Sequence, residues 1–459
     1  MKIQSLFIVL VFQLTSIVFA QTPEEAVNFL ESENGYGVKA AAMGNAFVGV
    51  ADDYTAMYWN PAGLTLLKSS EINGEFYYHR FNNEANFAEN TLLENQNFTQ
   101  LKSLGFAYKF PISSGSFAVA FGYNKFKDFD DFLYFSGFNT LSNGLGFDLE
   151  DGTQDTIQYH MFDKDVLQTE QVVSKGNLGA WSYSAGLALS PNFSVGATMN
   201  FYTGTGQYLF DFYQDDIDDV YGEFPANYEM YELHQQIKSK FSGMGVKLGG
   251  LFLLNDQVRI GLAVDLPSSL RILETYSAND VIWFDDETIS EMDLGSGEWE
   301  YVVKYPMKFS GGIALDTKHL LLAGSFDYRD WSQVQFDIPE GYSMNSDFED
   351  LLFENHFFGD LFRPVLSYSA GGELRVPGTG LKLRGGYRVV PSPFLDADKK
   401  FDRRYICAGF GYDIDDYSTI NFSYVKGVWE RNTVDSFTPG GTHESINTDR
   451  FLAGITYRF

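Results

Sequence analysis

Apolar and polar residues alternate with a period of two along most of the chain after residue 70. In one segment, Phe117, Val119, Phe121 and Tyr123 alternate with small or polar residues. Successive side chains of a β-strand point to opposite faces, so this pattern predicts strands with one bulky apolar face and one small or polar face. Comparable alternation runs through residues 104–110, 181–189, 193–201, 244–248, 260–264, 305–309, 420–424 and 451–459.

The connections between these segments alternate between short and long. Short turns rich in Pro, Gly, Asn and Asp are expected near residues 111–115, 191–192, 255–256, 317–318, 377–380 and 413–417. Long polar loops are expected at 80–101, 127–176, 211–239, 268–301, 335–363, 391–402 and 428–447. This alternation predicts about fourteen antiparallel strands in a transmembrane β-barrel, which has short turns at one end and long loops at the other. A secreted β-sandwich is the alternative, but it does not explain the asymmetry of the loops.

The first twenty residues have the pattern of an export signal. Lys2 supplies a positive charge, residues 6–14 are mostly apolar, and Val18, Phe19 and Ala20 end in a small residue suited to cleavage. The apolar run is shorter than the ~20 residues that a membrane-spanning helix needs. We therefore expect a cleaved signal peptide at 1–20 and a mature chain that starts at Gln21.

Composition narrows the class of protein. The chain has 43 Phe, 28 Tyr and 44 Gly, a usage that suits an apolar barrel surface with aromatic girdles. Its formal charge of −29 argues against a nucleic-acid partner, because phosphate binding requires clustered Lys and Arg. Acidic runs such as 128–131 and 215–219 are expected to be solvated loops, with divalent ions bound at the lipid surface as the alternative. The single Cys407 permits no intramolecular disulfide.

No catalytic, metal-binding or cofactor-binding motif stands out. The six His include no paired zinc motif, and the sequence has no Gly-x-Ser-x-Gly elbow. A catalytic triad formed in space is the alternative that sequence leaves open, because some barrels are lipases or acyltransferases. We expect a protein that is not an enzyme and has no metal or cofactor.

Residues 35–64 are rich in Gly and Ala, contain Asp52 and Asp53, and include the run Tyr-Trp-Asn-Pro-Ala-Gly at 58–63. This stretch resembles the N-terminal hatch of the FadL/TodX family of outer-membrane transporters for hydrophobic compounds. Weaker similarity is seen at 327–332 and 383–393. The resemblance implies three parts: a signal peptide at 1–20, a hatch or plug at 21–68, and a barrel at 69–459.

The resemblance also implies a function. It indicates passive uptake of hydrophobic small molecules, such as long-chain fatty acids, across the outer membrane of a Gram-negative bacterium. The expected partners are the ligand, membrane lipid and, through the terminal aromatic Phe459, the barrel-assembly machinery; we expect a monomer. The alternative is a FadL-like accessory of type IX secretion, since those barrels share a Tyr-Trp-Asn-Pro-Ala run.

Asn60, Pro61, Ala62 and Gly63 are the candidate gating residues of the hatch. Proline fixes its own φ and disfavours the helical region for Asn60, while Gly63 tolerates a sharp bend. A rigid bent element is therefore expected, with a plain turn before the first strand as the alternative.

Basic residues that face the same side of a predicted strand are the candidate ligand-binding groups of the lumen. Lys382, Arg384 and Arg388 are spaced by even numbers of residues and should face the same side of one strand. Lys304 and Lys308 are spaced in the same way, and the apolar residues Tyr305, Met307 and Phe309 should face the opposite side. Such groups could hold a carboxylate by charge-assisted hydrogen bonds. Ion pairs with lumenal acids such as Glu373 are the alternative.

Aromatic residues are dense in the loop predicted at 127–176. Phe129, Phe132, Tyr134 and Phe135 are the candidates for an external groove that collects apolar molecules.

Overall fold

The computed structural model describes residues 21–31, 33–150, 157–223 and 226–459; the predicted signal peptide lies outside them. The strands are β1 (Glu71–Phe87), β2 (Asn90–Lys109), β3 (Phe117–Asp128), β4 (Asp131–Asn139), β5 (Gly146–Glu150), β6 (Ile157–Met161), β7 (Val166–Ser190), β8 (Phe193–Asp215), β9 (Tyr228–Leu253), β10 (Val258–Asp265), β11 (Ser268–Phe284), β12 (Ile289–Tyr305), β13 (Lys308–Asp316), β14 (Leu320–Asp330), β15 (Gln335–Asp337), β16 (Pro364–Arg375), β17 (Leu381–Val390), β18 (Arg403–Asp413), β19 (Ser418–Thr433) and β20 (Thr442–Arg458). The α-helices are α1 (Pro23–Asn28), α2 (Val38–Ala42), α3 (Ala56–Trp59), α4 (Ser346–Phe353) and α5 (Phe358–Leu361), and the 3-10 helices are η1 (Pro61–Leu66), η2 (Trp331–Gln333), η3 (Glu354–His356) and η4 (Lys399–Phe401).

The strands form a closed antiparallel barrel of fourteen crossings. Strand β1 pairs with β2 on one side and with β20 on the other, which closes the ring. Four crossings consist of two segments each: β3 with β4, β10 with β11, β12 with β13, and β14 with β15. The predicted fold class is confirmed. No helix among the described residues is both long and apolar enough to cross a bilayer.

The two ends of the barrel differ as the sequence predicted. Connections at the short-turn end have few residues, as between β7 and β8 or between β13 and β14. At the opposite, long-loop end, the predicted loops at 80–101, 211–239, 268–301 and 428–447 are wrong in their extent, because strands occupy most of these residues. Both faces of these strand extensions carry polar residues, so their sequence resembles loops.

Apolar side chains cover the outside of the barrel. Phe76 is 63% exposed and Tyr183 is 52% exposed, whereas inward neighbours such as Glu75 and Ser184 are buried. In a soluble β-sandwich the apolar side chains would face the core, so the orientation of the side chains here is the opposite. The outer surface is therefore suited to lipid.

The described residues between 21 and 70, called here the inner segment, pack against inward-facing side chains of the barrel wall. Their contacts reach walls on different sides: Tyr54 donates to Asn124 of β3 at 2.9 Å, Val48 contacts Ser325 of β14, and Gly37 contacts Glu75 of β1. Contacts with such widely separated strands are those expected of a hatch inside the lumen, and the division into hatch and barrel stays a prediction.

Two wall glycines permit this close fit. A Cβ at Gly196 would lie 2.3 Å from the backbone carbon of Pro61, and one at Gly261 would lie 2.1 Å from the carbonyl oxygen of Val48. No other residue type fits at these positions without movement of backbone.

Candidate functional site

The largest apolar cluster inside the barrel surrounds helix α1. Phe29 packs on Phe129 and Phe241, with ring centroids 6.2 and 5.2 Å away. The same cluster takes in Trp331, Phe336, Phe348, Phe358, Phe362 and Val365, so that α4, α5 and η2 cover it from the long-loop end. We call this cluster the apolar chamber; Ala26 and Val27 of α1 belong to it.

A cluster of charges lies beside the chamber, centred on the Glu33 carboxylate. Lys308 Nζ contacts Glu33 Oε2 at 2.8 Å, the Tyr58 hydroxyl donates to the same oxygen at 2.8 Å, and Arg329 Nη1 donates to Oε1 at 3.3 Å. Burial alone would raise the pKa of Glu33, but the charges of Lys308 and Arg329 outweigh it and hold that pKa well below its usual range. Glu33 is thus an ionised anchor for the inner segment. A cavity of about 60 Å³ adjoins the cluster and is also lined by Arg388.

The hydrogen-bonded wall is interrupted between β2 and the crossing formed by β3 and β4. Strand β2 pairs with β3 only from Lys109↔Ala118 to Ser103↔Asn124. Beyond that point, in the described residues, β2 continues to pair with β1, and β4 pairs with β7 alone. We call this interruption the wall break.

Strand β4 turns into the barrel beyond the break. Phe135 stacks on Phe87 of β1 with ring centroids 4.4 Å apart, and the Asn83 side chain donates to the carbonyl of Phe132 at 2.9 Å. The upper part of the β1–β2 hairpin therefore packs over β4 face to face instead of edge to edge.

Polar side chains bridge the wall break. Asp128 accepts from Lys102 at 3.0 Å and from Gln100 at 2.8 Å, and Lys125 donates to Gln100 at 3.1 Å. Contacts between side chains hold the two edges together here, where a backbone ladder holds the rest of the wall. Side chains can rotate away without unfolding a strand, so opening the wall here would not require a backbone ladder to break.

Residues 29–31 and 33–36 of the inner segment contact the chamber, the charge cluster and the edge of the wall break. Phe29 lies in the chamber, and Glu33 is held by the charge cluster. The backbone N–H groups of Asn34 and Gly35 both donate to the carbonyl of Phe126 at 3.0 Å, next to the break. Movement of this short stretch would change all three places together.

The predicted gating residues form a buried, rigid bend. Asn60 is 0% exposed; its side-chain oxygen accepts from the N–H of Ala62 at 3.2 Å and so caps η1. Its Nδ2 donates to the carbonyls of Val48 at 3.1 Å and Gly250 at 3.0 Å. A Cβ at Gly63 would lie 2.1 Å from the Ala51 carbonyl oxygen. The motif ties two parts of the inner segment to β9; a gating role for it remains a prediction.

The predicted lumenal cations separate into three groups. Lys382 pairs with Asp413 and Arg384 with Glu373, each at 2.8 Å, so both are ion-paired towards the short-turn end. Lys308 holds Glu33. Arg388 donates to the backbone carbonyl of Glu33 at 3.1 Å and has no carboxylate partner among the described residues. Lys382 and Arg384 thus follow the alternative given above, in which the basic residues form ion pairs with acidic residues of neighbouring strands.

The predicted lumenal position of Lys304 is wrong. Its side chain is 53% exposed and pairs with Asp337, while Tyr305 is buried and its hydroxyl donates to the Ala26 carbonyl at 2.8 Å. Pro306 separates β12 from β13 and shifts the alternation by one residue, so Lys304 and Lys308 face opposite sides.

The predicted external groove is also wrong. Phe132 and Phe135 are buried, Phe129 packs in the apolar chamber, and Tyr134 packs partly buried against the core that includes Phe132. These residues lie on or just before β4, which turns inward at the wall break. They line the interior of the protein and offer no external groove.

Sequence reasoning missed Glu33, Arg329, Lys102 and Asp128. Asp128 belongs to an acidic run that was expected to be solvated, yet it is buried beside Lys102. A lysine within the apolar alternation of β2 was the available signal for that pair. No pattern in the sequence marks Glu33.

Comparison of the whole fold finds several channel proteins of known structure. A Pseudomonas aeruginosa FadL homologue aligns with a TM-score of 0.58 and 14% identity, over 92% of this chain and 98% of the homologue. The toluene transporter TodX of P. putida gives 0.54 and 13%, over 93% and 99%. The toluene transporter TbuX of Ralstonia pickettii gives 0.51 and 15%, over 93% and 99%.

The chain shares the fold of these channels. No protein-family model and no curated protein sequence matches it. The resemblance inferred from residues 35–64 is thus supported by the fold of the whole chain.

Proposed function

We propose that this protein is an outer-membrane channel for passive uptake of hydrophobic small molecules. The observation that carries the proposal is the apolar chamber next to a wall break, with one stretch of the inner segment touching both. The apolar outer surface suits a membrane, and the similarity to toluene transporters and a FadL homologue supports the same class of cargo.

The proposed route begins at the long-loop end. A ligand enters the chamber by displacing α1 and its Phe29, which fill apolar volume that the ligand would otherwise occupy. Displacement pulls on Glu33, Asn34 and Gly35, and so loosens the side-chain bridges at the wall break. The ligand then leaves sideways into lipid, and an apolar molecule never has to cross the polar, tightly packed region around Asn60.

Two chemical classes of hydrophobic ligand place different demands on the interior of the barrel. Neutral hydrocarbons need only the apolar chamber. A long-chain fatty acid would also need a cation for its carboxylate, and Arg388, which lines cavities on both sides of residues 33–35, is the best placed candidate. Phe459 is proposed as the assembly signal; it is exposed, and its N–H donates to the Ser70 carbonyl at 2.9 Å.

Reconstitution tests the function directly. Proteoliposomes containing the purified protein should take up a labelled monoaromatic compound or a fatty acid faster than protein-free vesicles of the same lipid. Mass spectrometry of species retained after detergent extraction would identify a natural ligand. Equal uptake by both vesicle types would overturn the proposal, and co-purification of secretion-machine proteins without transport would favour the secretion role instead.

A further inference from the structure

Gln21, the first residue after the predicted signal-cleavage site, is buried beside an acidic side chain of the wall. Gln21 is 6% exposed, and its side-chain Nε2 donates to Glu274 Oε2 of β11 at 3.3 Å. Glu274 is 3% exposed, and its other oxygen accepts from the Ser239 hydroxyl at 3.0 Å. The Gln21 side chain is therefore held against the β11 wall.

The carboxylate of Glu25, on α1, interacts electrostatically with that of Glu274. Glu25 of α1 is partly buried; burial raises its pKa well above the ordinary value, and the charge of Glu274 raises it further. No Lys, Arg or His in the described part of the chain forms an ion pair with either Glu25 or Glu274. Two neighbouring carboxylates removed from water are costly when both are ionised, so a positive charge at this place would stabilise the fold.

The predicted removal of the signal peptide would supply such a charge. Cleavage between Ala20 and Gln21, as expected from sequence, creates a new α-ammonium on the residue whose side chain already contacts Glu274. We propose that this mature N-terminus is a bound group: the α-ammonium of Gln21 pairs with Glu274 and Glu25 and ties α1 into the apolar chamber. The inference rests on the cleavage site and holds whether or not the protein transports a hydrophobic ligand.

Cyclisation of an N-terminal Gln21 would prevent this ion pair. The α-amine of an N-terminal glutamine can attack its own side-chain amide carbon, forming a neutral lactam and releasing ammonia. That reaction removes both the positive charge and the amide donor that contacts Glu274. The proposal therefore requires that the mature protein keep an open, uncyclised Gln21.

The test uses the mature protein purified in detergent. Intact and peptide mass spectrometry first defines the N-terminal residue and shows whether it has lost ammonia. Competitive acetylation across a pH series then gives the pH midpoint at which the α-amine becomes reactive. An ordinary α-amine has a pKa of about 7.7–8.0, and one unit corresponds to roughly tenfold in reactivity at neutral pH.

We expect the wild-type midpoint to lie at least about one unit above that of the Glu25→Gln/Glu274→Gln variant. Glu24→Gln, which removes an exposed neighbouring charge, is the matched control and should behave as wild type. If Glu274→Gln fails to assemble, Glu25→Gln alone should still lower the midpoint. Equal midpoints in wild type and variants, a cyclised Gln21, or a mature chain that begins at another residue would overturn the proposal.

Discussion

Asn60→Ala is the substitution whose effect can be worked out most fully. It removes the cap of η1, which is worth about 0.5–2 kcal/mol. It also removes two donors from the buried neighbourhood of Val48 and Gly250, at about 1 kcal/mol for each lost hydrogen bond and up to about 3 where the acceptor stays unpaired. The docking of the inner segment should therefore weaken by about 2.5–8 kcal/mol, while the barrel ladder remains intact.

Hydrogen exchange in detergent measures this effect. Amides around Val48 and in η1 should exchange much faster in Asn60→Ala, while the strands stay protected and the heat-modifiable gel shift is retained. Asn95→Ala, at an exposed position of β2, is the matched control and should change neither. Unchanged exchange around Val48 in Asn60→Ala would refute the reasoning that this side chain fastens the inner segment. If Asn60→Ala exchanges faster but takes up ligand at the wild-type rate, residues 60–63 have a structural role and no gating role.

Three further predictions follow from the charges and the topology. Because the pKa of Glu33 is lowered in the folded protein, the stabilisation that its charge provides is complete above its ordinary pKa and is lost only as pH falls through the lowered value. The protection of residues 33–36, measured as exchange relative to the intrinsic rate at each pH, should therefore be constant from pH 8 to 5 and should be lower at all these pH values in Glu33→Gln. Arg388→Ala should weaken fatty-acid binding in calorimetry by about 1.5–3 kcal/mol and spare neutral hydrocarbons, whereas equal affinity in wild type and variant would exclude Arg388 as the anchor; Arg384→Ala, which breaks the pair with Glu373, should act mainly on thermal stability. Protease added to intact cells should cut near residues 140–165 or 216–227 and spare the turn at 376–380, and the opposite pattern would contradict the proposed orientation.

Much of the fold could be predicted because its physical cause is local. Alternation such as Phe117 to Tyr123 follows from the two faces of a strand, and turn residues such as those at 191–192 follow from backbone preference. Strand limits could not be predicted in the same way. Beyond the apolar belt both faces of a strand are polar, so β11 and β12 look like a loop in sequence although they form a long hairpin.

The errors at the candidate site have a common cause, which is that a single break in a strand changes every position after it. Pro306 reverses the side on which Lys304 lies, and the inward turn after Asp128 buries Phe132 and Phe135. Glu33 could not be found from its neighbours in sequence, because its partners Lys308 and Arg329 come from strands nearly 300 residues away in the chain. The bend around Asn60 could be predicted because Asn, Pro and Gly have strong local preferences, while the gating role of these residues stays a prediction.

The central claim is that ligand leaves through the wall break, and cross-linking tests it most directly. In a Cys407→Ala background, Gln100→Cys and Lys125→Cys place thiols at side chains that meet across the break. A short cleavable thiol-reactive linker would lock the break. Thr203→Cys with Ser242→Cys, at a pair already joined in the β8–β9 ladder, is the control. Our account predicts that linkage across the break abolishes most uptake and that cleavage of the linker restores it, while the control pair has no effect. Full uptake with the break locked would contradict it.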